Sequence, residues 1–328
     1  MGYNRRIKIR REVQCLMDAL IQSLVQANFA PERIAPQASM AQYTTPRIGG
    51  PAEVMVNIHS ADEIAVALRA AKQADAPVTI IGNGSNLLVR DGGIRGLVLR
   101  ISGGLNAIRR EGDCLLVQAG ASLAAVAAFA RDEGLSGMAE LGGIPGTVGG
   151  GVLMNAGAYG AELAQLVTQA EGVSLSDGRR VVYPADRLDF AYRHSALMDT
   201  DVVVTQATLA LAPGNPEAIR ARMEACARAR REKQPLNLPS AGSTFKRPEG
   251  HFAAKLIDDC GLRGLTVGGA QVSEKHAGFV VNIGGATARD MLELMRQIEQ
   301  RVFEQTGVQL EPEVRILGAD EQKKEESV

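Results

Sequence analysis

The sequence predicts a mixed α+β chain of two or three packed units, on three observations. At 328 residues it is long enough to bury more than one core. Short strand-type runs are interleaved with capped helical stretches along most of its length. Glycine accounts for 36 of the 328 residues, above the usual ~7%, and it is clustered in loops, which fits backbone that approaches a ligand closely.

Residues 1–36 read as a polar, partly amphipathic lead-in, a solvated helical extension. Its basic start (Arg5, Arg6, Lys8, Arg10, Arg11) is followed by Glu12, Gln14, Asp18 and Gln22, which interrupt the apolar stretch of a secretory leader. The core is expected to begin near "TTPRIGGPAEVMVNI", where Val54, Val56 and Ile58 alternate as strand residues do. Ser60 and Glu63 form a capping box for a helix over 62–74. "PVTIIGNGSNLLV" then gives an apolar strand, a glycine turn and a second apolar strand. Short strands alternate with Gly and Asn turns over 92–117, and a helix over 122–133 ends at Gly134. Residues 141–160 hold eight glycines, which excludes a regular helix there. Strands follow at 172–175, 181–183 and 202–211.

"APGNP" at 212–216 is the linker candidate, with Asn215 and Pro216 suited to the cap and first position of a helix reaching about Lys233. The remainder reads as a smaller α+β unit. Thr287 caps a long helix that stops at Gly307, a strand follows around 308–317, and the charged tail 319–328 is expected to be disordered.

Lys plus Arg number 36 against 37 for Asp plus Glu, so no net field recruits nucleic acid or an acidic membrane. Cys15, Cys114, Cys226 and Cys260 are far apart, which excludes a CxxC-type metal site or a disulfide framework and fits reduced cytosolic thiols. No run approaches the roughly 20 apolar residues of a membrane helix.

The glycine clusters carry the functional signal. A Rossmann fingerprint needs a helix to open directly after its glycines. In "IIGNGSN" (80–86) the next residues, Leu87, Leu88 and Val89, run straight into the turn Asp91-Gly92-Gly93, so no such helix fits. A strand–loop–strand can still hold a pyrophosphate on the N–H groups of Gly82, Asn83, Gly84, Ser85 and Asn86; taken alone, the same loop also fits a plain hairpin turn. "LGGIPGTVGGGVLMNAGAYG" (141–160) adds a second run of small residues. Two such segments fit a large flat ligand with a diphosphate, gripped mainly by main chain.

Seven stretches, in order from about 40 to 318, resemble the UDP-N-acetylenolpyruvoylglucosamine reductase family, within the wider group sharing the vanillyl-alcohol-oxidase (PCMH) type FAD domain. They are "TTPRIGGPA", "IGNGSNLLV", "GIPGTVGGGVLMNAGAYGAE", "FAYRHS", "PSAGSTFKRP", "AAKLIDDCGLRG" and "LEPEVRILG". The resemblance implies an α+β fold: a two-part FAD-binding domain (37–105 and 106–213) and a smaller α+β substrate domain (214–318). The short span from Arg193 to Ser243 holds no tyrosine, which resembles the family's shorter type. It also implies FAD and NADPH as cofactors and a UDP-linked enolpyruvyl sugar of peptidoglycan synthesis as substrate; separately, the chain is expected to be a cytosolic monomer or weak oligomer that holds no metal.

By the same resemblance Arg193, Ser243 and Glu313 are catalytic. A guanidinium stays charged and can grip the substrate carboxylate bidentately. Ser243 would donate the proton; an alcohol manages this only because an enolate-like carbon is strongly basic. Glu313, protonated, would donate a hydrogen bond to the enol oxygen. The cofactor set is Arg47 with Gly82, Asn83, Gly84, Ser85, Asn86 and Leu87 of the first loop. The second segment contributes Gly146, Thr147, Gly149 and Gly150, followed by Asn155, Ala156, Gly157 and Tyr159. Lys233, Lys255 and His276 are candidate substrate contacts, His276 equally a turn cap, and the lysines equally part of a solvated face. Two other readings compete: an FAD-dependent oxidase or dehydrogenase of the same fold acting on another small alcohol, and a flavin-binding module without catalysis.

Overall fold

The computed structural model describes residues 16–321; the basic start through Cys15 and the tail from 322 onward lie outside the described residues. The chain folds as two compact units that are not sequential. One comprises residues up to 38, 52–82 and 95–226; the other comprises 39–51, 83–94 and 227 onward. The sequence-based division treats 37–105 as one piece, whereas 39–51 and 83–94 fold with the C-terminal residues. The reason is long-range pairing: Leu87–Val89 lies parallel to Arg315–Leu317, in the register Leu87↔Arg315.

The first unit contains a four-stranded sheet in the order Ile34–Ser39, Pro51–Asn57, Ile94–Arg100, Val78–Ile81, the last two parallel. It also contains a five-stranded antiparallel sheet in the order Arg180–Pro184, Val167–Ser174, Val202–Ala210, Cys114–Gln118, Ile108–Glu111. The helix Ala61–Gln73 buries Ile64, Ala67, Ala70 and Ala71, a spacing that lays one stripe on the core. Its cap is half of the expected box. Ser60 Oγ accepts the Glu63 N–H, but the Glu63 carboxylate accepts from His59 N–H at 2.7 Å and pairs with both terminal nitrogens of Arg33 at 2.9 and 2.6 Å. Burial of Glu63 opposes its charge, yet the hydrogen bonds from Arg33 and His59 outweigh it and hold the carboxyl below its ordinary value. The helix Leu123–Asp132 is capped by Ser122 and followed by Gly134 at φ 66°.

The expected solvated extension over 1–36 and the expected absence of a helix from 141–160 both differ from the structure. Residues 16–26 are helical, and Leu20, Leu24 and Phe29 are buried in the same core as the two sheets, so the core begins well before residue 44. The glycine-rich segment does contain a helix, Val148–Leu153. A Cβ on Gly149 would lie 2.9 Å from Ala119 Cβ and one on Gly151 2.8 Å from Leu163 Cδ1. Close packing of bare backbone, together with the Thr147 cap, outweighs the low helix propensity of glycine.

The second unit has its own core, including Leu256, Val272, Met291, Leu294, Ile298 and Leu310. The helix Ala288–Thr306 starts with a capping box between Thr287 and Asp290 and ends at Gly307 in the left-handed region. Its first two N–H groups, of Ala288 and Arg289, donate to the Asp91 carboxylate at 2.8 and 3.0 Å. Asp91 therefore acts as a remote anionic cap. The strand expected over 308–317 is limited to Arg315–Leu317. The candidate linker is also structured: Ala212–Pro213 pairs with Leu135–Ser136, and the Asn215 Oδ1 caps the helix Pro216–Lys233. Among the described residues no helix is long and apolar enough to cross a membrane.

Leu24→Ala is expected to lower stability by about 2–5 kcal/mol in urea unfolding, where a solvated extension would give almost no change. Glu63→Gln should cost about 1–2 kcal/mol near neutrality. The folded carboxyl lies below its ordinary value of 4.5, so the wild-type advantage is present above that value and fades as pH falls through the folded one. Urea melts of both proteins across the acid range check this.

Candidate active site

In the first unit, Thr147 is buried and its Oγ1 accepts the Gly150 N–H, capping the glycine helix. Gly82 must be glycine for this cap, since a Cβ there would lie 2.6 Å from Thr147 Oγ1. Gly146 accepts the Leu123 N–H through its carbonyl, and Ala156 donates its N–H to Gly151 O at 2.8 Å. The Gly150 Cβ position is different: its nearest neighbour is Thr147 Oγ1 at 3.6 Å, and the residue is exposed. Gly157–Ala158 pairs with Ala161–Glu162 across a two-residue turn in which Tyr159 (φ 53°) and Gly160 (φ 87°) are both left-handed. That hairpin presents Tyr159 at its tip, 43% exposed.

Arg193 also sits on a tight hairpin. Ala191 and His194 exchange both backbone hydrogen bonds at 3.1 Å, and Arg193 lies between them at φ 55° with its guanidinium 4.9 Å from the centre of the Tyr192 ring. Of the eight non-glycine residues with positive φ among the described residues, four are predicted site residues: Arg47, Asn155, Tyr159 and Arg193. Such backbone is costly and concentrates where a side chain must be presented in one direction.

In the second unit, the backbone around Ser243 and Glu313 forms one short antiparallel pairing. Glu313 N–H donates to Thr244 O at 2.8 Å and Lys246 N–H to Glu311 O at 2.8 Å. Phe245 and Pro312 face each other between these bonds, a position where proline's missing N–H costs nothing. Thr244 is buried and its Oγ1 accepts the Val280 N–H, while Ser243 is exposed. On its other side, Glu313 O accepts from Asn86 Nδ2 at 3.0 Å, and Arg315 N–H donates to Asn86 O at 3.0 Å. The acidic residue is thus fastened between the Ser243 segment and the first glycine loop. Arg193 belongs to the other unit.

That loop is not a hairpin, because its flanking strands pair with different partners: Val78–Ile81 with Ile94–Arg100, and Leu87–Val89 with Arg315–Leu317. Gly84, at φ 62°, lies directly against the Tyr43 carbonyl, which leaves no space for a Cβ. Among the described residues, no acceptor is paired with the N–H groups of buried Gly84 or of Ser85. Two consecutive unspent donors, one of them buried, fit an anion such as a diphosphate. Gly84 and Ser85 are therefore suited to hold a dinucleotide cofactor. Arg47 stands next to Pro46, whose carbonyl accepts from the buried side chain of Asn282 at 3.0 Å.

The three candidate substrate residues separate. Lys255 is bound to Asp259 one helical turn on, at 2.7 Å and largely exposed, an ordinary surface pair. Lys233 is the exposed last residue of its helix. His276 is held in a turn: its Nδ1 accepts the Gly278 N–H, and its ring meets Phe279 edge-on. Burial keeps that ring below the usual imidazole pKa. Asn282 and Ser195 were not foreseen as support for the site. Both stand in or beside glycine or catalytic motifs, but a carboxamide or hydroxyl bonding to distant backbone leaves no periodic signal.

A first unit that carries the second glycine segment, and a second unit whose glycine loop holds the unspent donors of Gly84 and Ser85 beside the paired Ser243 and Glu313 segments, fit the class of FAD-binding oxidoreductases. Residues 52–183 match the FAD-binding domain family, and residues 234–317 match the C-terminal domain of UDP-N-acetylenolpyruvoylglucosamine reductase. The UDP-N-acetylenolpyruvoylglucosamine reductase of Pediococcus pentosaceus is 46% identical over 91% of this chain and 99% of its own length. That of Agathobacter rectalis is 48% identical over 85% and 92%. The crystal structure of the Thermus caldophilus reductase aligns with a TM-score of 0.74 at 38% identity, covering 85% of this chain and 97% of that one. The chain belongs to the UDP-N-acetylenolpyruvoylglucosamine reductase family.

Gly150→Ala should leave thermal stability unchanged or slightly raised, by roughly 0.5–1 kcal/mol, while weakening FAD retention on gel filtration. Gly151→Ala, which meets Leu163, should lower both.

Proposed function

We propose that this chain reduces the enolpyruvyl ether of UDP-N-acetylglucosamine enolpyruvate to UDP-N-acetylmuramate, a peptidoglycan precursor, with NADPH as reductant and FAD as cofactor. The observation that carries this reading is the fastening of Glu313 between the Ser243 segment and the first glycine loop. It links a proton-donor candidate, an acid and a diphosphate-type cradle within one unit. The names of the relatives support the same substrate. Bound FAD supplies the hydride carrier between NADPH and the double bond.

The residues have separate tasks. One hydride and one proton add across the carbon–carbon double bond, and NADPH leaves as NADP⁺. Negative charge develops toward the substrate carboxylate, where the Arg193 guanidinium offers a permanent bidentate partner. Glu313, when protonated, donates a hydrogen bond to the enol oxygen. Ser243 gives the proton to the carbon beside the carboxylate, its exposed hydroxyl standing one residue before buried Thr244, which locks the segment. Residues 82–86 of the first loop, with 146–150 and 156–159 of the second segment, would hold FAD, and Arg47 would assist. The competing reading, an oxidase or dehydrogenase of another small alcohol on the same fold, gives the Arg193, Ser243 and Glu313 motifs no role.

The test is the visible spectrum of the purified protein and NADPH oxidation with and without the enolpyruvyl sugar nucleotide. A flavin spectrum with one NADPH consumed per substrate supports the reading; a bound flavin that this substrate never reoxidises defeats it. Ser243→Ala should leave flavin reduction by NADPH intact and slow reoxidation by substrate about 10²–10⁴-fold in stopped flow.

A further inference from the structure

The Arg193 hairpin is tied at both ends to the second glycine segment, through Asn155 on one side and Leu153 on the other. Asn155 is 1% exposed. Its Nδ2 donates to Ala191 O at 3.1 Å, and its Oδ1 accepts the Ala164 N–H at 2.9 Å. Ser195, fully buried, donates its Oγ–H to Leu153 O at 2.8 Å. Ala191 and Ser195 stand two residues before and two after Arg193, so the turn between them is bracketed symmetrically. Asn155 itself has φ 42°, a conformation that asparagine tolerates better than most residues. Its carboxamide is spent on both sides by protein backbone, and its side chain is sealed from solvent.

We propose that Asn155 and Ser195 are positioning residues for Arg193. They fix the base from which the guanidinium reaches the substrate carboxylate, so that Asn155 serves the arginine and not the cofactor. This rests on the reading of Arg193 given under Proposed function. The physical argument is leverage. A small rotation at a two-residue turn is magnified along the long arginine side chain. Anchoring both ends to the end of a packed helix removes that freedom before substrate arrives, which lowers the cost of orientation at the reacting centre.

Asn155→Asp tests the donor specifically. It keeps tolerance of the left-handed backbone and the acceptor for Ala164 N–H, but sets a carboxylate oxygen against the Ala191 carbonyl. Ser195→Ala deletes the other tie and carries the test if Asn155→Asp fails to fold. In the holoenzyme both variants are expected to retain FAD and to be reduced by NADPH at the wild-type rate. Reoxidation by the enolpyruvyl substrate should slow about tenfold to a hundredfold. In an Arg193→Ala background the same substitutions should add less than about twofold, because residues acting through one group are not additive. Hydrogen exchange of the peptide spanning 189–196, measured on the protein without substrate, should accelerate in both variants. Loss of FAD, an undiminished effect in the Arg193→Ala background, or unchanged exchange would each overturn the proposal. If Arg193→Ala alone reoxidises at the wild-type rate, the proposal falls with the role of Arg193, and accelerated exchange would show that the structural tie exists regardless.

Discussion

The constraint on which the rest depends is the contact of Gly84 with the Tyr43 carbonyl. With φ 62° and no space for a side chain, this residue can only be glycine. Thr45 N–H donates to Gly84 O and fixes the contact from the other side. Beyond it the chain enters the parallel pairing of Leu87–Val89 with Arg315–Leu317. That register puts Asn86 beside Glu313, and the Asn86 carboxamide holds the Glu313 carbonyl. One backbone contact therefore decides both where the unspent donors of Gly84 and Ser85 lie and where the acidic residue stands. A hydrogen bond of this kind stabilises the fold by only about 1 kcal/mol net; its larger consequence is the geometry it imposes.

The glycines divide into two kinds. Those at 82, 149, 151 and 157 admit a close neighbour of their own chain: Thr147, Ala119, Leu163 and the carbonyl of Ala161 respectively. Gly150 admits nothing closer than 3.6 Å. A glycine-rich run thus overstates the surface offered to a ligand, because most of it is used for packing one backbone against another. The same packing explains why a helix survives over three successive glycines.

Strain follows a similar logic. Non-glycine residues in the left-handed region cost roughly 1–2 kcal/mol each, and the described chain accepts that cost at Arg47, Asn155, Tyr159 and Arg193. Each is over-determined by its surroundings. Tyr159 lies in a paired hairpin, Arg193 in a turn closed by two bonds, Asn155 in a buried carboxamide network, and Arg47 next to a carbonyl held by Asn282.

Local order was legible in the sequence. Ser60, Ser122, Asn215 and Thr287 begin helices where their spacing says they should, since a cap and its N–H partners lie within three residues. The absence of a helix after the first glycine loop was legible for the same reason, and seven ordered motifs carried the family. The partner of each strand and each buried polar group was decided by tertiary structure alone. Nothing near residue 91 announces that its carboxylate caps a helix beginning at 288, or that Glu63 pairs with Arg33. Leu20 and Leu24 are core residues because a sheet surface is available to cover them. Asn86 and Asn155 both occur in glycine motifs as if equivalent. One is fastened to Glu313 and the other to the Arg193 hairpin, because a carboxamide bonds whatever backbone the fold brings beside it.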